Sequence, residues 1–212
     1  KDYAANTFAG TPVATNHGDE VTVDWNLNTQ FVNSDHSWMP QEGTDFTVKY
    51  VKDGSTEQLD AITEPGDYTA TLTGNGKTCF GKLEVAVHVD AASIEGAQVS
   101  VADEGLTYNG ATQTPDVTVT LGEGDNARVL QPGTDYTVEY LNALEATDSE
   151  TFATARVIGC GLYGGTADGQ FSIAKKDLTI TAGSATMTEG NSTPFFGWTA
   201  EGLAEGDSIV GA

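Results

Sequence analysis

Hydrophobic and polar residues alternate with a period of two along much of this chain. In residues 135–140 the apolar side chains of Tyr136, Val138 and Tyr140 alternate with polar ones, and residues 68–73 show the same alternation. Successive side chains of a β-strand point to opposite faces, so each run predicts a strand that buries one face. Apolar residues at positions i, i+3, i+4 and i+7 do not recur over several turns. The sequence therefore predicts an all-β protein.

Turn-forming residues divide these runs. In Gln131-Pro132-Gly133-Thr134 the proline presets φ of the first central residue and the glycine supplies the positive φ of the second, which predicts a type II turn. Short strands separated by Gly, Asp and Pro are typical of β-sandwiches.

One block of sequence occurs twice. Residues 43–50, Gly-Thr-Asp-Phe-Thr-Val-Lys-Tyr, return as residues 133–140, Gly-Thr-Asp-Tyr-Thr-Val-Glu-Tyr. Three further blocks correspond, in the same order along the chain. Upstream, residues 7–10 match 107–110; downstream, 70–76 match 155–161 and Phe80-Gly81 matches Tyr163-Gly164. The spacing is close to the ~100 residues of an immunoglobulin-sized sandwich, so we interpret the chain as a tandem array of such units.

The repeat predicts three units: 1–91 and 92–175 as complete sandwiches, and 176–212 as the opening half of a third. The joins at residues 90–93 and 174–177 are short and have no Gly/Ser-rich or Pro-rich run. Such linkers leave neighbouring units little freedom, and we expect an elongated, stiff rod.

Residues 65–72, Pro-Gly-Asp-Tyr-Thr-Ala-Thr-Leu, resemble the late strand of an immunoglobulin-like domain. In that family a tyrosine at the start of the strand, here Tyr68, bonds to upstream backbone and closes a corner. Ala70 stands where an antibody domain has its second cysteine, so the family's disulfide is absent. The second unit has Phe152 and Ala153 in the place of the tyrosine.

The third unit contains Lys176-Asp177-Leu178-Thr179-Ile180-Thr181, followed by Gly190, Pro194, Gly202-Leu203 and Gly206-Asp207. In this segment and this spacing it resembles MBG-type repeats of large bacterial surface proteins and adhesins, with Glu189 replacing the family's central aromatic residue. The two longer units are similar to repeats of secreted Gram-positive surface proteins. The resemblance implies an extracellular protein attached to the cell wall through regions outside these residues. Its implied partners are a host glycan or host protein and adjacent repeats of the same parent chain.

The chain carries a net charge of −22, with 31 acidic residues and 9 basic ones. Without a cationic surface to neutralise phosphates, nucleic acid is excluded as an expected partner. We expect no membrane insertion either, because no apolar run of about 18 residues is present. Acidity keeps a long exposed array soluble, which is the favoured interpretation. The alternative is Ca²⁺ binding by acidic loops at 103–104, 123–126 and 148–150, although no Asp-x-Asp-x-Asp-Gly loop occurs.

Candidate catalytic chemistry is sparse. The three histidines, His17, His36 and His88, show no zinc-ligand spacing, and no nucleophile elbow or phosphate-binding loop occurs. We predict that the chain is not an enzyme and holds no cofactor. Cys79 and Cys160 lie at non-equivalent positions of the repeat, so we expect free thiols.

Tryptophans offer the best candidate for ligand contact. Trp38 lies in a polar, turn-like stretch, where a sugar-stacking role and ordinary packing are both open. Trp25 follows two valines at strand spacing and is predicted to be core, as is Trp198 with Phe195 and Phe196. The sequence thus predicts a non-catalytic stiff spacer or host-attachment module of a bacterial cell-surface protein. The alternative is a carbohydrate-binding accessory module of a secreted enzyme.

Overall fold

The computed structural model describes residues 10–27, 40–190 and 192–210. Within these residues the protein is all-β: they contain no α-helix, and the single helical turn is a 3₁₀ turn at Gly124–Asn126. The predicted fold class is therefore confirmed at the level of an all-β protein with several antiparallel sheets. The Trp38 prediction lies outside the described residues.

Fifteen strands are described. In chain order they are β1 (Val13–Asn16), β2 (Val21–Asp24), β3 (Phe46–Lys52), β4 (Gly66–Gly74), β5 (Lys82–Val89), β6 (Ala92–Ser93), β7 (Gln98–Val101), β8 (Val117–Leu121), β9 (Arg128–Val129), β10 (Tyr136–Leu141), β11 (Ala153–Gly159), β12 (Tyr163–Gly164), β13 (Thr166–Phe171), β14 (Thr179–Ala182) and β15 (Trp198–Glu201).

The strands pair mostly with near neighbours in sequence. Three sheets have three strands, in the orders β3-β4-β5, β7-β8-β9 and β10-β11-β13. The antiparallel pairs β1-β2 and β14-β15 each form a separate two-stranded sheet, and the short strands β6 and β12 pair in parallel. The chain divides into two compact units, one of Lys1–Glu95, Leu130–Thr137 and Ile158–Thr166, the other of Gly96–Val129, Val138–Val157 and Ala167–Ala212.

The repeated sequence block folds into the same turn in both copies. Gly43 and Gly133 each have φ of 80°, and the backbone amides of Thr44 and Thr134 each donate to the carbonyl of the glutamine three residues earlier, at 3.3 Å. This geometry is a type II turn, as the sequence predicts for the second copy.

A buried aspartate stabilises each turn through a hydrogen bond. Asp45 and Asp135, 5% and 9% exposed, accept the backbone N–H of Gln41 and Gln131 at 3.0 and 2.8 Å. They are the buried charged residues of the described chain. A carboxylate that accepts a backbone N–H makes a strong, charge-assisted hydrogen bond, which explains why the Gly-Thr-Asp sequence recurs.

The core of the first compact unit lies under β3-β4-β5. Trp25 is 7% exposed and stacks on Tyr50, with ring centroids 6.3 Å apart, while its Nε1 donates to Glu42 at 3.0 Å. Side chains from the β1-β2 hairpin, including Val21 and Val23, pack against the same cluster. The prediction that Trp25 is a core residue is confirmed.

A second core belongs to the other compact unit. Ala153, Ala155 and Phe171 are buried there, and Val101 and Val117 from the sheet β7-β8-β9 pack against them. Two sheets that contribute apolar side chains to one cluster bury their faces against each other, as in a β-sandwich.

The predicted tyrosine corner is present at Tyr68. Its hydroxyl donates to the carbonyl oxygen of Glu64 at 2.7 Å, and Ala70, two residues on, is fully buried. In the second repeat the position of Tyr68 is taken by buried Ala153. There the Tyr140 hydroxyl donates to the carbonyl oxygen of Pro115 at 2.5 Å, so a different tyrosine anchors backbone upstream.

The third repeat differs from its prediction. The pair β14-β15 has the register of β7-β8, with Ala182 opposite Trp198 where the second repeat has Val101 opposite Val117. Trp198 is nevertheless 40% exposed, and Phe195 and Phe196 are more exposed still. The prediction that these aromatics form a core is wrong, because among the described residues no second sheet covers this hairpin.

Candidate functional site

Residues of the first two predicted repeats meet through the side chain of Asn16, at the end of β1. Its Nδ2 donates to the carbonyl oxygens of Asp90, at 2.9 Å, and Leu162, at 2.7 Å. Its Oδ1 accepts the N–H of Gly18 at 2.8 Å. One amide thus ties the first repeat to the linker and to the second repeat. We call Asn16, Gly18, Asp90, Leu162 and Tyr163 the joint clasp.

Tyr163 supplies the apolar part of the clasp. Its ring is 4% exposed, and a Cβ placed on Gly18 would overlap the phenol. The ring therefore lies directly against the turn between β1 and β2, and this close approach requires glycine at that turn.

The linker itself is part of a small sheet. The amides of Ala92 and Ile94 donate to the carbonyls of Leu162 and Gly164, each at 3.0 Å, as β6 pairs with β12. The sequence predicted a short linker with little freedom at 90–93. The structure places half of it in a strand of the second repeat, so only Asp90 and Ala91 remain between β5 and β6.

His88 lies beside the clasp. It faces solvent on β5, between two buried valines. Its Nδ1 is 2.6 Å from Asp67 Oδ1, and its Nε2 is 3.2 Å from Asp90 Oδ1. The hydrogen bond to Asp67, then that to Asp90, raises the pKa of His88. The imidazole therefore links β4 to the first linker residue, whose carbonyl also accepts from Asn16.

A groove of about 540 Å³ borders this histidine, with Asp53, Asp67, Asp90 and Tyr68 in its walls. The three aspartates make the walls of this groove acidic. Nevertheless, the residues that the structure describes include no group of three or more His, Cys, Asp or Glu side chains arranged to hold a metal ion.

Two of the three acidic loops proposed for Ca²⁺ have a carboxylate that accepts hydrogen bonds from the protein. Asp148 accepts the backbone amides of Glu150 and Thr151 and the Thr151 hydroxyl, and these bonds lower the pKa of Asp148. Asp103 accepts the amide of Ser172 at 3.4 Å. The 123–126 loop forms the 3₁₀ turn. The Asp148 carboxylate therefore caps its own loop, whereas Asp103 bonds a residue distant in sequence.

Both cysteines are free and partly buried. Burial, followed by the nearby Asp45 charge, raises the pKa of Cys79, which disfavours the reactive thiolate. The Cys160 thiol donates to the carbonyl of Thr134 at 3.4 Å. Asn75 makes the corresponding bond to Thr44 at 3.0 Å in the first repeat, so Cys160 corresponds to Asn75 and not to the other cysteine.

The clasp is the feature that sequence reasoning missed. Asn16 lies in a turn signal, Asn16-His17-Gly18, that has an ordinary local explanation. The alignment of Phe80 with Tyr163 gave no signal either, because the different burial of the two aromatic residues is visible only in the structure.

No family model, curated protein or solved structure matches this chain. In the described part of the chain, no helix has the length and apolar character needed to span a membrane.

Proposed function

We propose that this chain is a non-catalytic repeat segment of a bacterial cell-surface protein and acts as a stiff spacer or host-attachment module. The observation that supports this most directly is the joint clasp, in which Asn16 bonds both the linker and the following repeat. A spacer must resist bending between consecutive repeats, and the Asn16 side chain hydrogen-bonds a residue of the next repeat, Leu162.

The physical argument concerns the cost of opening the joint. Each net hydrogen bond contributes about 0.5–1.5 kcal/mol, and opening the joint breaks the bond from Asn16 in the first repeat to Leu162 in the second. It also exposes the ring of Tyr163, which is 4% exposed. These contributions together make the bent state a minor population.

Spin-label distance measurements test stiffness. Cys79→Ser and Cys160→Ser remove the native thiols, and labels at Thr47→Cys and Thr137→Cys occupy exposed, equivalent positions in the two repeats. We expect one narrow distance distribution that Asn16→Ala broadens. The matched control is Asn126→Ala, because that exposed side chain makes no hydrogen bond within the described residues. A broad distance distribution in the protein that retains Asn16 would contradict the proposal.

Location is tested separately. Antibodies against the chain should label intact cells of the source organism, and mild protease treatment of those cells should release the labelled segment. Labelling only after lysis would contradict a surface role.

Exposed aromatic residues support a second candidate, a carbohydrate-binding accessory module of a secreted enzyme. Trp198 is 40% exposed and Phe196 is 56% exposed, and aromatic faces at a surface can stack on sugar rings. A glycan array with and without Ca²⁺, repeated with Trp198→Ala and Trp38→Ala, separates the two candidates. Binding that falls on either substitution favours the sugar-binding module, and no binding favours the spacer.

A further inference from the structure

The chain contains two Asn-Gly dipeptides, Asn75-Gly76 and Asn109-Gly110, in opposite structural states. Asn-Gly is chemically labile because the unhindered glycine nitrogen can attack the asparagine side chain. We propose that Asn109 is a site of spontaneous deamidation and isoaspartate formation in the folded protein, whereas Asn75 is protected by the fold.

At Asn75 both the attacking nitrogen and the leaving nitrogen donate hydrogen bonds. The Gly76 N–H, which would have to lose its proton to become the nucleophile, donates to the carbonyl of Cys79 at 2.9 Å. The leaving nitrogen Nδ2 donates to Thr44 O at 3.0 Å and Thr78 Oγ1 at 2.8 Å. Displacing it must break those bonds.

At Asn109 the nucleophile and the leaving group are free of such bonds. Neither the Gly110 N–H nor Asn109 Nδ2 makes a hydrogen bond to any described residue, and the side chain is exposed. The bonds that do form are on the reactive carbonyl, which is also hydrogen-bonded at Asn75, where Oδ1 accepts the amides of Lys77 and Thr78. The two sites therefore differ at the nucleophile and the leaving group. Asn109 Oδ1 accepts from Ala111 N at 2.9 Å and from Gln113 Nε2 at 2.6 Å. Donors on this oxygen stabilise the negative charge that develops during attack, as in an oxyanion hole.

The reaction needs only water and base. The Gly110 amide nitrogen gives its proton to hydroxide and forms a bond to Cγ of Asn109. The Cγ–Nδ2 bond then breaks, and ammonia leaves after taking a proton from water. The resulting five-membered succinimide adds water at one of its two carbonyl carbons, and its ring opens there. Opening at Cγ gives aspartate, and opening at the backbone carbonyl gives isoaspartate, in which the main chain runs through the former side chain.

The position gives the reaction a structural consequence. Gly110 lies against Ala204 and the backbone of Glu205, and the Tyr108 hydroxyl donates to Asp207 at 3.0 Å. An isoaspartate between Tyr108 and Gly110 adds one main-chain carbon at this contact. We therefore expect ageing to loosen the packing of the third repeat on the second.

The test is incubation of the intact chain in mildly alkaline buffer, with peptide mapping over time to quantify aspartate and isoaspartate at both asparagines. Because hydrogen bonds protect Asn75, conversion at Asn109 should be at least about tenfold faster in the folded chain. The same incubation in urea is the internal control, since without the fold the two rates should become similar.

Two variants sharpen the result. Asn109→Gln should abolish conversion at that position, and Gln113→Ala should slow it severalfold while the rate at Asn75 stays unchanged. Equal rates in the folded chain, faster conversion at Asn75, or conversion at Asn109 only in urea would each overturn the proposal.

Discussion

Phe80 and Tyr163 occupy aligned positions in the two repeats, yet Phe80 is 80% exposed and Tyr163 is 4% exposed. The difference comes from one neighbour: Tyr163 packs against the turn at Gly18, and Phe80 has no corresponding repeat turn against it among the described residues. The same repeat position is therefore a surface residue in one copy and the anchor of a joint in the other.

Tyr163→Ala should open this joint. Removal of a buried aromatic side chain costs about 3–5 kcal/mol, whereas Phe80→Ala should change the free energy of unfolding by no more than about 0.5 kcal/mol. Amide hydrogen exchange at Ala92 and Ile94, which donate to the Leu162 and Gly164 carbonyls, should accelerate only in the Tyr163 variant. Similar exchange in both variants would show that the ring does not stabilise the β6-β12 pair next to the joint.

Both buried aspartates should stabilise the fold, Asp45 more than Asp135. Asp45→Ala and Asp135→Ala each remove a carboxylate that accepts a backbone N–H, a charge-assisted bond worth about 1.5–3 kcal/mol. Asp45→Ala should cost more, because Asp45 also accepts the Thr78 hydroxyl at 2.5 Å.

Urea unfolding measures the aspartate effect, with Asp125→Ala in the exposed 3₁₀ turn as control. Asparagine variants should retain part of the stability, since the amide oxygen can still accept. If the Asp135→Ala protein were as stable as the control, the hydrogen bond from Gln131 to Asp135 would not stabilise the turn.

Local features of this fold were predictable because their causes are local. The turn at Gly133 follows from a proline and a glycine at adjacent positions, and the corner at Tyr68 from a tyrosine at a strand start. The Asn16 to Leu162 bond joins residues 146 apart, and nothing in either local sequence specifies the other. Trp198 was misjudged for a related reason. A strand buries an aromatic side chain only where another layer covers that face.

Paired Tyr→Phe substitutions test the corner and its substitute. Tyr68→Phe and Tyr140→Phe each delete one hydroxyl that donates to an upstream carbonyl, of Glu64 and of Pro115. Each should cost about 0.5–1.5 kcal/mol in urea unfolding while the ring packing is kept. Val138→Ala is a packing control, since it shortens a partly buried side chain without touching either bond. Unchanged stability in both Phe variants would show that these two hydrogen bonds do not stabilise the fold.

His88 should make the stability of the first repeat depend on pH. Its pKa is raised in the folded state, chiefly by the hydrogen bond to Asp67 and then by that to Asp90, with Asp53 and Tyr68 lining the same groove. A pKa raised by folding means that the stabilisation is fully present below the unfolded-state value of about 6.5. It is lost as pH rises through the folded-state value.

Titration of the His88 ring protons by NMR measures the shift directly. Asp67→Asn should lower the pKa of His88 more than Asp90→Asn does, because Asp67 is the larger cause. In urea unfolding, the stability advantage of the native chain over His88→Gln should shrink as the pH is raised from mildly acidic to alkaline. Since Asp90 also offers its backbone carbonyl to Asn16, spin-label distributions across the joint should broaden over the same pH interval. A His88 pKa that neither aspartate substitution changes would show that the imidazole does not link β4 to the joint.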